Sequence, residues 1–403
     1  MKRSEADKQF KNIRILKPSE NVYGAYLNLT KIISTKIAAL QLFPKLQNQL
    51  SLLVQFANGK TENVKIEYHT ENQLNKIAWI NSNYCNISPD KKLIDSKFID
   101  KQNKIAYVGW YHAFNSRESV ESSKKNNYYL DMNLKAVYKT LNQERPSDDN
   151  EAIQKLTSLY EVVATLLNKM KENNSTHLII DLRTNRGGWT NLSIPLLYML
   201  FGDKYFKFCP NTEYNTVISE LYLKKINQTL EQFNHNNQSN YSLGDYRFSD
   251  FFGQDTTIRV LQRRNDFIDN QRKFGFSSLG SYEKLNGKPI YSPQIIVLTA
   301  PETFSAAFHF TWFLTEIGKA KIIGVPSSQA GNTFMEGTPF ELPKTHLKGT
   351  ISNAQQIFYP NNMEKGTVLK PDFPMDWELF KKYSFDNNAE IMYVIDLIRD
   401  SKI

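Results

Sequence analysis

Apolar residues along this chain fall into short continuous runs and into runs spaced at helical intervals, and the two kinds alternate. The clearest succession lies between Ile295 and Gly324. Ile295 to Leu298 is β-branched and short enough for a buried strand, Pro301 interrupts it, and a helix opens near Ser305 and ends at Gly318 before a second strand. Upstream, Ile153, Leu156, Tyr160, Val163, Leu167 and Met170 recur at helical spacing and predict one amphipathic helix from Glu151 to Met170. Leu178 to Leu182 then reads as a buried strand running into the glycine-bearing loop RTNRGGW, and SIPLLYMLFG as a helix. This order predicts an α/β domain with a largely parallel sheet, in which sites gather at the carboxyl ends of strands.

The flanking segments pattern differently. Leu52 to Phe56 and Val64 to Tyr68 alternate around Asn58-Gly59, a hairpin turn signal, and predict a small β-containing N-terminal module over residues 1–100. Asn83 to Lys101 reads as loop, Lys104 to Trp110 as a strand, and Asn115 to Asn127 as polar chain without regular structure. Residues 101–403 form the α/β domain, with a polar, aromatic insertion at about 211–286. A hairpin around Thr338 to Gln356 and a helix from about Asn388 to Arg399 follow. No internal repeat appears.

The length of 403 residues provides for a sizeable core. The charge is +9, from 50 Lys+Arg against 41 Asp+Glu, but the basic residues are scattered, so the surface reads as soluble and not as a nucleic-acid stripe. Cys85 and Cys209 stand far apart, outside any CxxC pattern, and no two histidines have metal-ligand spacing, so neither a disulfide framework, a metal nor a cofactor is expected. His69, His177, His235 and His346 sit at strand ends or in polar loops. The polar start MKRSEADKQFKN has no apolar core of a signal peptide, and no stretch approaches a membrane span. Localisation is open: cytoplasmic, or periplasmic or extracellular if a leader was removed. Oligomeric state is not readable.

Two roles fit Ser305. It is a preferred helix N-cap residue, and it is also placed where backbone N–H groups and the positive helix end favour a nucleophile and the oxyanion it creates. Gly187 and Gly188, in a loop without Cβ atoms, are either turn glycines or two oxyanion donors.

Two segments together resemble the tail-specific, or C-terminal processing, serine peptidase family. IDLRTNRGGW resembles that family's strand-then-glycine segment. TFSAAFHFTWFLTEIGKAKIIGVPSSQAGNT resembles its nucleophile segment, in ungapped register, with Glu316 where members often carry an acid. EKGTVLKPDFPMDW is similar to its closing pattern. The resemblance covers Lys104 to the C-terminus apart from the insertion. It implies a crotonase/ClpP-like α/β core, Ser305 as nucleophile and Gly187 and Gly188 as oxyanion donors. It also implies an upstream peptide-binding PDZ module, of which the Gly59 hairpin would be a reduced remnant.

The general base departs from the family pattern. Many members carry a lysine where the register here puts Ala330, and a methyl group takes no proton. A second branch, similar to the tricorn protease core, uses histidine and glutamate. Glu364 matches its acid, whereas its histidine position falls on Gly109, and His112 serves only if the strand curves. His309 shares the helix face of Ser305 and is a weaker candidate; Lys319 and Lys321 are expected to face solvent. Some members carry a histidine ahead of the peptide-binding module; no such Asp-x-His segment occurs before residue 100, so a third alternative puts the base in an upstream portion of the chain. The implied function is a serine-type peptidase acting on polypeptides through an acyl-enzyme on Ser305. The alternative is an inactive peptidase-like protein that binds peptides or acts as a scaffold.

Overall fold

The computed structural model describes residues 19–37, 39, 50–55, 58–66, 68, 94–113, 116–124, 127–249 and 257–403. The polar N-terminal dodecamer, Phe56, His69, Cys85 and most of the segment read as loop after Asn83 lie outside them. The chain divides into two compact units. One comprises Met1–Lys207, Val260–Gln329 and Lys370–Ile403, and the other Phe208–Arg259 and Ala330–Leu369.

The first unit is built on a six-stranded sheet in the spatial order Phe373–Pro374, Lys321–Gly324, Gln294–Thr299, His177–Asp181, Ile105–Trp110, Ile94–Phe98. Every neighbouring pair is parallel except the last. Parallel pairing requires crossovers that cover the sheet with helices, and the central strands are accordingly buried on both faces. One face packs Tyr107, Ile179, Ile296, Leu298 and Ile323 against Ile391, Val394 and Leu397 of the helix Ala389–Arg399. Each such fully buried aliphatic side chain contributes about 1.5–3 kcal/mol. The other face receives the helix Ala306–Gly318, where Phe310 meets Trp110 edge to face at 5.8 Å. The register pairs Gly109 with Asp181 and Asp181 with Leu298, so the loops after these three strands leave one edge of the sheet together.

Three segments differ from the sequence reading. The expected loop ending at Lys101 contains the edge strand Ile94–Phe98. The expected single helix Glu151 to Met170 is two, Asp149–Gln154 and Leu159–Glu172, because Ser158 caps the second by accepting the Glu161 N–H. The polar stretch from Asn115 holds a helix, Arg117–Glu121, ordered by its own buried carboxylate: Glu118 accepts hydrogen bonds from Ser158 Oγ, from Ser278 Oγ at 2.8 Å and from Leu159 N at 3.0 Å. A buried carboxylate must be satisfied in this way, and its charge suits the helix start at Leu159.

The same unit carries an N-terminal helix, Val22–Ile33, and the hairpin Leu50–Gln55 with Thr61–Ile66. Gly59 takes φ +84° in its turn, beside a 2.9 Å hydrogen bond from Lys60 N to Asn58 Oδ1. The second unit is a four-stranded antiparallel sheet ordered Asn332–Glu341, Lys348–Ile357, Glu213–Val217, Tyr246–Ser249. Ile218, Leu223 and Phe233 form a small core there.

Candidate active site

Ser305 follows the strand Gln294–Thr299 through a turn fixed by Thr303, whose Oγ1 accepts from Ala300 N at 3.0 Å and donates to Leu182 O at 2.9 Å. Ser305 itself has φ +52° and ψ −123°, a conformation costly for a residue with a Cβ. Its backbone occupies the N-cap position, yet its side chain makes no capping hydrogen bond. Ser116, Ser158 and Ser219 cap their helices from extended backbone, each accepting an N–H of the first turn. Ser193 and Ser278 also stand at helix starts without a capping bond, but among these serines Ser305 alone takes a positive φ.

The glycine loop stands against it. Gly187 has φ +86°, and a Cβ there would lie 2.5 Å from both Ser305 Cβ and Phe304 O. Asn185, fully buried, holds this approach from three sides. Its Nδ2 donates to Trp110 O at 2.8 Å, its backbone oxygen accepts Phe304 N at 3.1 Å, and its Oδ1 accepts Gly187 N at 2.9 Å. The Gly187 N–H is therefore engaged. Among the described residues, the N–H groups of Gly188 and of Ala306, the first residue of the helix, have no hydrogen-bond acceptor.

Gln329 closes the other side. Its Oε1 accepts the backbone N–H of Ser305, its own N–H donates to Ser327 Oγ at 2.9 Å, and Ser327 Oγ donates to Thr303 O. The N-terminal helix sits on this loop: Asn21 donates from Nδ2 to Ser327 O at 3.0 Å while its Oδ1 caps Tyr23 N and Gly24 N. Sequence reading missed Asn185, Ala306, Gln329 and Asn21. Asn185 stood within the glycine motif and Gln329 beside Ala330, but nothing local marks Asn21.

The candidates for the base are spread out. His112 lies two residues beyond the end of the Ile105–Trp110 strand, on the edge from which the glycine and serine loops also leave, and is exposed. Its pKa is lowered by partial loss of solvent and then by Arg186, against an opposing pull from Glu302. Arg186 and Glu302 form an ion pair, and Lys31 approaches Glu302 at 3.6 Å. The position of the branch histidine, Gly109, is filled: a Cβ there would stand 2.3 Å from the Tyr111 ring. Tyr111 and Tyr107 share a 2.6 Å hydrogen bond, and Tyr107 donates to Asp181 at 2.8 Å, so Tyr111 is the donor within the pair. Burial, then Asp181, holds both phenols in their neutral form. Asp181 in turn takes one hydrogen bond from the Arg183 backbone N–H and two from its guanidinium, whose third arm reaches Glu390 at 2.6 Å.

His309 is buried, with Nδ1 2.9 Å from Thr190 Oγ1. Ala330 is buried, and Glu364 lies exposed in the first turn of the helix Met363–Thr367, in the second unit. Lys321 is paired with Asp372 at 3.1 Å on the surface. Among the described residues no group of three His, Cys, Asp or Glu side chains is disposed to hold a metal ion, and no helix is long and apolar enough to cross a membrane.

The sequence profile of peptidase family S41 matches residues 151–375. None of the curated protein sequences matches. Among solved structures, a Bacteroides fragilis protein assigned to the S41 proteases is 13% identical over 88% of this chain and 66% of its own, with a TM-score of 0.38. A photosystem II D1 C-terminal processing protease is 12% identical over 82% and 56%, TM-score 0.34. Mature CPAF in complex with lactacystin is 14% identical over 87% and 68%, TM-score 0.41. The chain spans less than two thirds of the length of the first two.

Proposed function

The chain belongs to peptidase family S41, and on that premise we propose that it is a serine-type peptidase that hydrolyses polypeptides through an acyl-enzyme on Ser305. The observation that carries this reading is the pairing of a positive-φ serine, free of any capping bond, with a glycine whose missing side chain lets the loop reach it. In the proposed reaction Ser305 Oγ attacks a peptide carbonyl carbon and gives its proton to the base. The C–N bond then breaks as the amine takes a proton, and water releases the acyl group by the reverse exchange. The developing oxyanion is received by the N–H groups of Gly188 and Ala306, which have no acceptor among the described residues, whereas the Gly187 N–H expected as a donor is held by Asn185.

His112 is assigned the base. Its lowered pKa keeps the imidazole neutral, the form that accepts a proton. Labelling with an alkyl fluorophosphonate tests the proposal: the wild type is expected to label and Ser305→Ala not, and absence of label in both overturns it.

A second reading, a peptidase-like protein that binds peptides without cleaving them, draws support from one specific pair of observations. Ala330 occupies the lysine position and Tyr111 fills the space over Gly109. Turnover of an unstructured polypeptide that disappears in Ser305→Ala excludes it.

A further inference from the structure

One of the two glycine donors expected of the oxyanion pocket is already committed, and a side chain outside the family motifs has a further donor to offer. Gly187 N–H is already committed to Asn185 Oδ1 at 2.9 Å. Gln329, with no exposed surface, accepts the backbone N–H of Ser305. Because that partner is a donor, the accepting atom of the carboxamide must be its oxygen, and the orientation of the amide follows from the bond. The other half of the group, Nε2, is then buried beside the nucleophile, and it has no acceptor. Buried amide hydrogens are almost always paired in folded proteins, so an orphaned pair next to a candidate nucleophile marks a place where an acceptor arrives. The acceptor that a hydrolase brings to that place is the carbonyl oxygen of the bond under attack.

We propose that Gln329 acts on both partners of the acylation step: Oε1 holds Ser305 in its left-handed conformation, and Nε2 donates to the substrate carbonyl oxygen as it becomes an oxyanion. This rests on the reading of Ser305 as nucleophile. The carboxamide is itself held in place from the far end of the chain, since Ser327 Oγ accepts the Gln329 N–H and Asn21 is bonded to Ser327 O.

The test uses the rate of labelling by an alkyl fluorophosphonate, whose phosphoryl oxygen stands for the carbonyl oxygen. The Ser305 Oγ–P bond forms, the P–F bond breaks, fluoride leaves and the serine proton passes to the base. Gln329→Glu keeps the shape and the acceptor but loses the donor. It is expected to label about a hundredfold more slowly than wild type, the usual cost of one oxyanion donor, at a temperature where its melting curve shows it fully folded, because a buried carboxylate lowers the melting temperature. Its rate relative to wild type is expected to recover as pH falls from about 8 to about 5, because burial raises the carboxyl pKa above its free value and the protonated acid again offers a hydrogen. Gln329→Met, neutral and without a donor, is expected to label slowly at every pH. Wild-type rates in either variant, or a Gln329→Glu deficit that does not shrink as pH falls, overturn the proposal while leaving Ser305 as nucleophile. A wild type that takes no label removes both together.

Discussion

Gly187 and Ser305 touch so closely that a single methyl group on the glycine would lie 2.5 Å from the serine Cβ. Gly187→Ala is expected to push the two loops apart and to place a side chain at φ +86°, which costs of order 1–3 kcal/mol. The larger effect falls on chemistry, because displacing a reacting group by about 1 Å costs on the order of a hundredfold in rate. Fluorophosphonate labelling alongside thermal melting separates the two. A variant that labels like wild type would mean that this contact is incidental.

Asn185 serves three backbone groups at once, and Asn185→Leu is expected to strand the buried Gly187 N–H and Trp110 carbonyl. Each unpaired buried group costs about 1–3 kcal/mol, so a loss of roughly 2–6 kcal/mol in denaturant-measured stability is expected. Asn185→Asp keeps the acceptor for Gly187 but sets a carboxylate against the Trp110 carbonyl, and it is expected to become more stable relative to wild type as pH falls and the acid protonates.

If His112 is the base, labelling has an acid limb that rises with pH and is centred below about 6.5, the unperturbed histidine value. Arg186→Gln removes a cation that lowers this pKa and is expected to move the limb to higher pH; Glu302→Gln removes the opposing anion and is expected to move it lower. His112→Asn is expected to abolish the limb. The linkage to stability has the same sign: with the folded-state pKa depressed, the stabilising contribution of neutral His112 is present above the unfolded value and is lost as pH falls through the folded one. A limb unmoved by both neighbouring substitutions would assign it to another group.

Arg183 joins the carboxylates of Asp181 and Glu390 inside the first unit, at 2.8 Å and 2.6 Å. Arg183→Met leaves both carboxylates buried without a cation and is expected to destabilise by about 3–5 kcal/mol. Arg183→Met with Glu390→Met is expected to lose less than the single change, because one stranded charge is then gone. Chemical denaturation of wild type, the two single variants and the double variant measures this, and additive losses would show that the two residues act independently.

The parts of this fold legible in the sequence are those whose causes are local. The strand into Ser305 and its helix follow from an unbroken β-branched run, a proline and a terminal glycine; the RTNRGG loop is marked by its own glycines. The break at Ser158 was not legible, because the apolar spacing continues across it and the cap there is completed by Glu118, 40 positions away. The base position was not legible either. Tyr111 folding back over Gly109 is a contact between a side chain and an empty space, and composition carries no trace of it. Gln329 looked like one more polar loop residue until its amide was seen to be fixed on one side and orphaned on the other.

The bond from Asn21 to Ser327 joins positions 306 residues apart, and that from Arg183 to Glu390 joins positions 207 apart. During synthesis the N-terminal parts of a chain emerge first and fold as units. A chain still on the ribosome can present Ser305 before Glu390 exists, and then the helix beneath the sheet is absent. The sheet that carries Ser305 is thus tied together by segments made early and late, and neither bond can close before its later partner has been synthesised.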